Sequence, residues 1–458
     1  MTIKTAAGDT DRLVRREHIR WAERIGFGAG DFATSLPWNL AGSFLLYYYT
    51  DVVKAPVAAL GTLFLVARLL DAVFDPFVGL LVDRTRSRWG KARPYLLFGA
   101  IPLAVTGVLM FSAPPGLGDT GKLAFAFATY LLAGLVFSMV SVPYSAMLPM
   151  ITRDPAERLR LGGIRAVGSA LGIIVATGTA TGLVAALGGD DERRGWTLAG
   201  IVYGVLSVAL LALTYRYCRE RYTVPTLGGR AEVRRAVRNM LRNRHWVVMF
   251  TYLVLNFTRL GLTLTVTVFF ALHVLHAPWA IAVLLPLVSG ALLVGGIASP
   301  AYYRRFGKRR GNLLALGVGG ALWLVLPLLT GVIPAFIVVY LLASVAIALS
   351  MASSFTLVAD TVDYQEWRFG QRDEGLLSAG ISLATKVGSA VGAALVAYGL
   401  YLAGYDADDV SGSAVTAIEI LYFAVPVVLI ALQALTIAFY RLEDQHAAIL
   451  TDLAARES

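Results

Sequence analysis

Apolar residues along this chain cluster into twelve runs separated by short polar stretches. The runs cover residues 26–49, 57–82, 95–113, 123–150, 163–187, 196–215, 246–272, 278–299, 312–331, 333–358, 375–403 and 415–440. A run of about 20 apolar residues is the length of a helix that crosses a bilayer. The pattern therefore predicts an all-α membrane protein with twelve transmembrane helices. The longest connection follows the sixth run and reads RYCRERYTVPTLGGRAEVRRAVRNMLRNRHW. Its second half is expected to form an amphipathic helix lying on anionic lipid headgroups, with a regulatory docking site as the alternative. This linker, 216–245, divides the chain into an N-terminal six-helix bundle, 26–215, and a C-terminal one, 246–440. GLLVDRTRSRWGKARP after span two resembles SPAYYRRFGKRRGN after span eight, an echo that points to duplication. Two six-helix bundles rocking around a central site is the geometry of many secondary transporters.

Composition agrees. Of 458 residues 57% are hydrophobic and only 15% charged, and the mean hydropathy is +0.67, which excludes a soluble protein of this length. The net charge of +10 would fit a nucleic-acid partner if it were clustered on a folded surface. Instead, 33 of the 40 Lys and Arg fall at one side of the predicted spans, and four (Lys54, Lys122, Arg193, Arg194) at the other. By the positive-inside rule both the N-terminus, 1–25, and the tail, 441–458, are cytoplasmic. The single cysteine, Cys218, forms no internal disulfide and reads as a spectator in a cytosolic loop. Residues 1–24 are polar and basic, and the apolar run that follows is long enough to remain a span, so no cleaved secretion signal is expected.

Three basic residues remain inside spans: Arg68, Arg259 and Lys386. In span two, Arg68, Asp71 and Asp75 are spaced by three and four and share a helix face. Two carboxylates one turn apart repel unless one is protonated or a cation lies between them. Such a pair can hold Na⁺ or H⁺; the plainer alternative is an Arg68–Asp71 salt bridge serving packing alone. Further polar groups occur at similar depth. Asp31 and Trp38 are two turns apart in span one, and Ser138, Ser141 and Ser145 flank Pro143-Tyr144 in span four. Arg165 opens span five, Arg259 lies in span seven and Lys386 in span eleven. Intramembrane ionisable groups are costly and mark ion or solute paths. Together these residues would line a hydrated cavity for a small polar solute. No Walker loop, HExxH motif or cysteine cluster is present, so neither ATP-driven transport nor a metal-dependent enzyme is expected.

The stretch RLLDAVFDPFVGLLVDRTRSRWGKARPYLL resembles the span-two signature of the glycoside–pentoside–hexuronide:cation symporters, the branch of the major facilitator superfamily that includes melibiose permease. YYYTDVV, SVPYSAMLPMITRDPAERLRLGGIR and ADTVDYQEWRFGQRDEGLLSAGISLATKVGSAVG match in order, so the resemblance covers residues 22–440. It implies the major facilitator fold, with Asp71 and Asp75 as cation ligands, Ser138 beside them and Lys386 close by. It further implies that Asp31 and Arg165 hold sugar hydroxyls. Asp360, Asp363 and Arg372, with Asp83, Arg84 and Arg88 below span two, would form a cytoplasmic charged gate. Where melibiose permease has an aspartate and a tryptophan in span four, this chain has Ser141 and Ser145. A tryptophan of span ten becomes Met351, and an asparagine beside the cation site becomes Phe74. A galactoside pocket of that design is therefore not preserved. Arg259, as an intramembrane guanidinium, suits a carboxylate or phosphate or pairs a buried acid such as Asp31.

The expected function is symport of a sugar, glycoside or uronide with Na⁺ or H⁺ by alternating access. Cation would bind at Asp71, Asp75 and Ser138. Solute would face Asp31, Trp38, Ser141, Tyr144, Ser145, Arg165, Arg259 and Lys386. The partners expected are solute, coupling cation and membrane lipid, with no other cofactor and a monomeric carrier. VPYSA in span four also resembles related lysolipid carriers, so an amphiphile carrier on the same fold is one rival. A non-transporting membrane scaffold or sensor is the other.

Overall fold

A computed structural model describes residues 19–152, 154–222, 230–370 and 374–457. Every regular element among them is helical. Spans one to six are Trp21–Tyr47, Val57–Arg84, Arg93–Met110, Asp119–Ile151, Pro155–Gly188 and Glu192–Tyr217. Spans seven to eleven are Arg244–His273, Ile281–Phe306, Lys308–Val325, Ile333–Phe369 and Glu374–Leu402. Span twelve, Gly412–Ala438, is broken by a π-turn at Ile420–Ala424. Among the described residues eleven helices are long and apolar enough to cross a membrane. The first is the exception, because Asp31, Asn39 and several small hydroxyl residues and glycines dilute its apolar surface. Its neighbours cover that surface, and most of its residues are buried.

Helices run past the apolar windows at the basic end. Span ten continues to Phe369 and stops at Gly370, which takes a left-handed φ of 69° as a C-cap. Asp360 and Asp363 therefore sit on a helix, where the sequence reading put a loop. Hydropathy measures only the greasy length, whereas the helix continues until the backbone is broken.

Span one packs on spans five and six, and span seven on spans eleven and twelve. The two principal crossings use the same device. A Cβ on Gly168 would lie 2.1 Å from the carbonyl oxygen of Gly28, and one on Gly392 would lie 2.3 Å from that of Thr258. Only glycine permits helix backbones to approach so closely.

The duplication extends to the loops. Glu220, after span six, accepts hydrogen bonds from the backbone N–H groups of Lys91, Ala92 and Arg93 at 2.7–2.9 Å. Glu443, after span twelve, accepts from Lys308 and Arg309 at 2.6 and 2.8 Å. A carboxylate thus satisfies the free N–H groups at the start of spans three and nine. Arg93 returns a bond to the Tyr215 carbonyl, and Arg309 to that of Ala438. Cys218 lies beside the first clamp, buried, and its burial pushes the thiol up to about 12, which leaves it unreactive. Beyond the linker helix Arg230–Arg242, Asn243 caps span seven by accepting from Trp246 N at 3.1 Å, and donates to the Thr361 carbonyl of span ten at 3.0 Å.

The halves meet through spans two and eleven, five and eight, and one and seven. At the face away from the basic loops they are latched. Lys54 and Asp408 pair at 2.6 Å, Tyr405 donates to Asp51 at 2.7 Å, and the hydroxyls of Thr62 and Tyr398 lie 2.6 Å apart. At the basic end the described pairs each stay inside one half: Arg24–Glu157, Arg221–Glu23, Lys308–Asp360 and His446–Asp363.

Gly168→Ala and Gly392→Ala should each lower the melting temperature of the purified protein, at a cost of about 1–3 kcal/mol from overpacking. Gly163→Ala, whose new methyl meets open space, should not. Equal melting of all three variants would show that these crossings are looser than described.

Candidate functional site

Span two presents Asp71 and Asp75 to span four and, across the gap between halves, to span eleven. Gly134 of span four makes room: a Cβ there would already lie 3.4 Å from Asp71. Ser138, one turn on and fully buried, places its Oγ 2.7 Å from Asp71 Oδ1 and 2.6 Å from Asp75 Oδ1. Its single proton serves one carboxylate at a time. Lys386 reaches in from span eleven, with its Nζ 2.7 Å from Asp75 Oδ1, 2.8 Å from Asp71 Oδ2 and 3.1 Å from Ser138 Oγ. The approach to Asp71 Oδ2 is off the hydrogen-bond direction, and that oxygen is buried without a donor; it is held by charge. The ammonium therefore stands between the two carboxylates, where the sequence reading placed a solute contact. Two anions, Asp71 buried and Asp75 half-buried, and one cation leave one unit of negative charge, which favours a further cation or proton.

Arg68 does not face Asp71. Its guanidinium stacks 3.9 Å over Trp38, and its Nε donates to the Tyr130 hydroxyl at 2.7 Å. Trp38 is in turn stacked on Phe137 at 4.2 Å. The shared helix face holds for the Cβ atoms, but the long Arg68 side chain turns away to aromatic partners on neighbouring helices. Tyr130 and Phe137 were not singled out in the sequence. The signal was present, since Tyr130, Gly134, Ser138, Ser141 and Ser145 follow the helical repeat along one side of span four.

Asp31 pairs with Arg165, Oδ2 to Nε 3.2 Å, and Arg165 Nη2 donates to Ser145 Oγ at 2.9 Å. Both charged side chains keep some exposure, 17% for Asp31 and 30% for Arg165, and Ser141 is half-buried. Carboxylate, guanidinium and hydroxyl together offer donors and acceptors to a polyhydroxylated molecule. Tyr144, by contrast, is fully buried. Its hydroxyl donates to the Phe27 carbonyl at 2.5 Å and its ring lies under Arg165, so it orients the guanidinium and is closed to solute. Arg259 pairs neither with Asp31 nor toward span one. It turns into the second half, between spans eight, nine and ten.

Among the described residues, the ion pairs described at the expected gate positions each lie within one half. Asp360 binds Lys308 at 2.5 Å, and Asp363 binds His446 of the C-terminal helix at 3.0 Å. Arg84 is exposed, and Arg88 lies over the Trp89 ring. Arg372 and the side chain of Asp83 lie outside the described residues.

Residues 26–444 match the family model of MFS/sugar transport proteins. The chain is 35% identical to the putative glycoside/cation symporter YagG of Escherichia coli (strain K12) over 92% of each chain. It is 31% identical to the isoprimeverose transporter of Lactiplantibacillus pentosus over 96% of this chain and 93% of that one. Among solved structures, a bacterial homolog of the human lysosomal transporter Spinster, inward-facing and unoccupied, matches with a TM-score of 0.69. It covers 95% of this chain and 98% of its own at 14% identity, which bears on the fold alone.

Removing the resident ammonium exposes the charge imbalance. Lys386→Gln should cost about 3–5 kcal/mol in alkaline, Na⁺-free buffer, because two buried carboxylates lose their partner. Its melting temperature should recover as pH falls or Na⁺ is added, since either restores positive charge. A variant indifferent to both would mean that the two aspartates are not coupled.

Proposed function

Because the chain belongs to the MFS/sugar transport protein family, we propose that it couples inward cation movement to uptake of a sugar, glycoside or uronide. It is a multi-pass membrane transporter of the glycoside–pentoside–hexuronide:cation symporter group, and not an enzyme. The observation that carries the coupling is Lys386, which crosses from the second half to pair with both Asp71 and Asp75 of the first.

A Na⁺ ion or proton competes with that ammonium for the same oxygens. When it binds, Lys386 is released and the bond between spans two and eleven at mid-depth is lost. When it leaves, the ammonium returns and the halves are joined without an ion. Each state of the site thus favours a different relation between halves, which is what a coupled carrier requires. With the basic loops cytoplasmic, the described arrangement is latched on the outside.

Solute binds beside this site, against Asp31, Arg165, Ser145 and Trp38. Asp31 accepts and Arg165 donates, so a sugar hydroxyl can insert into the pair. Ser141 borders both regions. A charged pair at this position disfavours an acyl chain lying against it, and hydroxyls that both donate and accept match it, which supports the sugar reading over a lysolipid.

Counterflow in proteoliposomes, with labelled glycosides, uronides and lysolipids and with or without Na⁺, tests the assignment. Exchange of a glycoside or uronide should rise with Na⁺ or with acid pH. Movement of lysolipid alone would overturn the solute. In a second assay, Asp71→Asn and Asp75→Asn should each abolish uphill uptake; accumulation that keeps its full cation dependence in both would overturn the coupling site.

A further inference from the structure

Arg259 is 6% exposed and forms a wall of a cavity of ≈ 20 Å³ inside the second half. The other walls include Thr263 of the same helix, Val288 of span eight, Trp323 of span nine and Ser344 of span ten. A single hydrogen bond is described for the guanidinium, from Nη2 to Asn256 Oδ1 at 3.3 Å. Its Nε, the Asn256 amide nitrogen and the Thr263 hydroxyl are all buried without a hydrogen-bond partner. Asn256, Arg259 and Thr263 follow at i, i+3 and i+7, so the three project from one side of span seven. Among the described residues no carboxylate pairs with Arg259; the acid nearest in role, Asp31, is taken by Arg165.

A buried guanidinium without counter-charge is strongly destabilising, and so are buried donors without acceptors. Here three such groups are neighbours, and all can donate. We propose that this cavity is an anion site, holding one small monovalent inorganic ion of the chloride type between Arg259 and Thr263, with Asn256 steadying the guanidinium from outside the cavity. Size sets the class. The volume admits about one water-sized sphere, which fits a halide and excludes a sugar or uronide ring. Val288 and Trp323 supply dry walls that strengthen the attraction. The ion braces spans seven, eight and ten against one another, and it lies apart from both the cation cluster and the Asp31–Arg165 pair. The assignment stands whether or not the solute reading does.

The purified full-length protein is melted in rising sodium chloride or bromide, against equimolar sodium gluconate. The halide series should give a saturable rise in melting temperature that gluconate does not give. Bromide should quench Trp323 saturably, a component missing from Trp323→Phe. Arg259→Gln should lose both responses. Thr263→Val, a milder change, should shift the chloride titration about tenfold to higher concentration. Identical melting in chloride and gluconate, with no saturable quenching of Trp323, would overturn the site. Displacement of bromide by glucuronate would overturn the size argument and return Arg259 to the solute path.

Discussion

Two carboxylates one helical turn apart, buried at mid-depth, cannot both stay ionised without a cation, and the architecture is arranged around supplying one. Ser138 and Gly134 of span four accept the pair closely. Lys386 supplies charge from the opposite half. Because that cation belongs to the protein, it offsets one of the two negative charges and joins the halves. The same groups would be an unremarkable salt bridge if all lay in one bundle. Their division between bundles makes charge neutralisation and relative position of the halves one variable.

The spans were legible because lipid imposes a length and a polarity on each helix, and hydropathy reads both. Asp71 and Asp75 were legible because a carboxylate in an apolar run is expensive enough to need a reason. Ser138 was legible only as one of several lining hydroxyls, since one hydroxyl in a helix costs little and bonds its own backbone readily; its place beside the carboxylates came from the family resemblance. Directions of long side chains were the least legible. Spacing placed Arg68 on the face of Asp71, yet Trp38 and Tyr130 from two other helices take it. Arg259 likewise faces the interior of its own bundle, because the rotation of span seven is set by its glycine-mediated crossing with span eleven.

The internal repeat is deeper than the loop echo first indicates. Lys54-Ala55-Pro56 and His276-Ala277-Pro278 end spans one and seven, with Lys54 and His276 both at positive φ, 58° and 50°. Ala55 N donates to Tyr49 O and Ala277 N to Ala271 O, at 2.8 and 2.9 Å. Two non-glycine residues in a region costing about 1–2 kcal/mol are retained at matching places. The side chains have diverged: Lys54 entered the latch, whereas His273, one turn before His276, meets the Tyr405 hydroxyl. One backbone template has thus been kept while its two copies took complementary parts of the same closure.

The latch and the buried joint differ in the medium that surrounds them. Lys54 and Asp408 are 43% and 78% exposed, whereas Lys386 and Asp71 are 10% and 2% exposed. At physiological ionic strength the Debye length is about 8 Å, and dissolved salt weakens exposed pairs while hardly touching buried ones. Screening therefore acts on the Lys54–Asp408 part of the closed face, while the part-buried Tyr405–Asp51 hydrogen bond and the central ion pairs are screened far less. Added salt thus weakens one contact of the closed face by screening alone, before any ion binds a site.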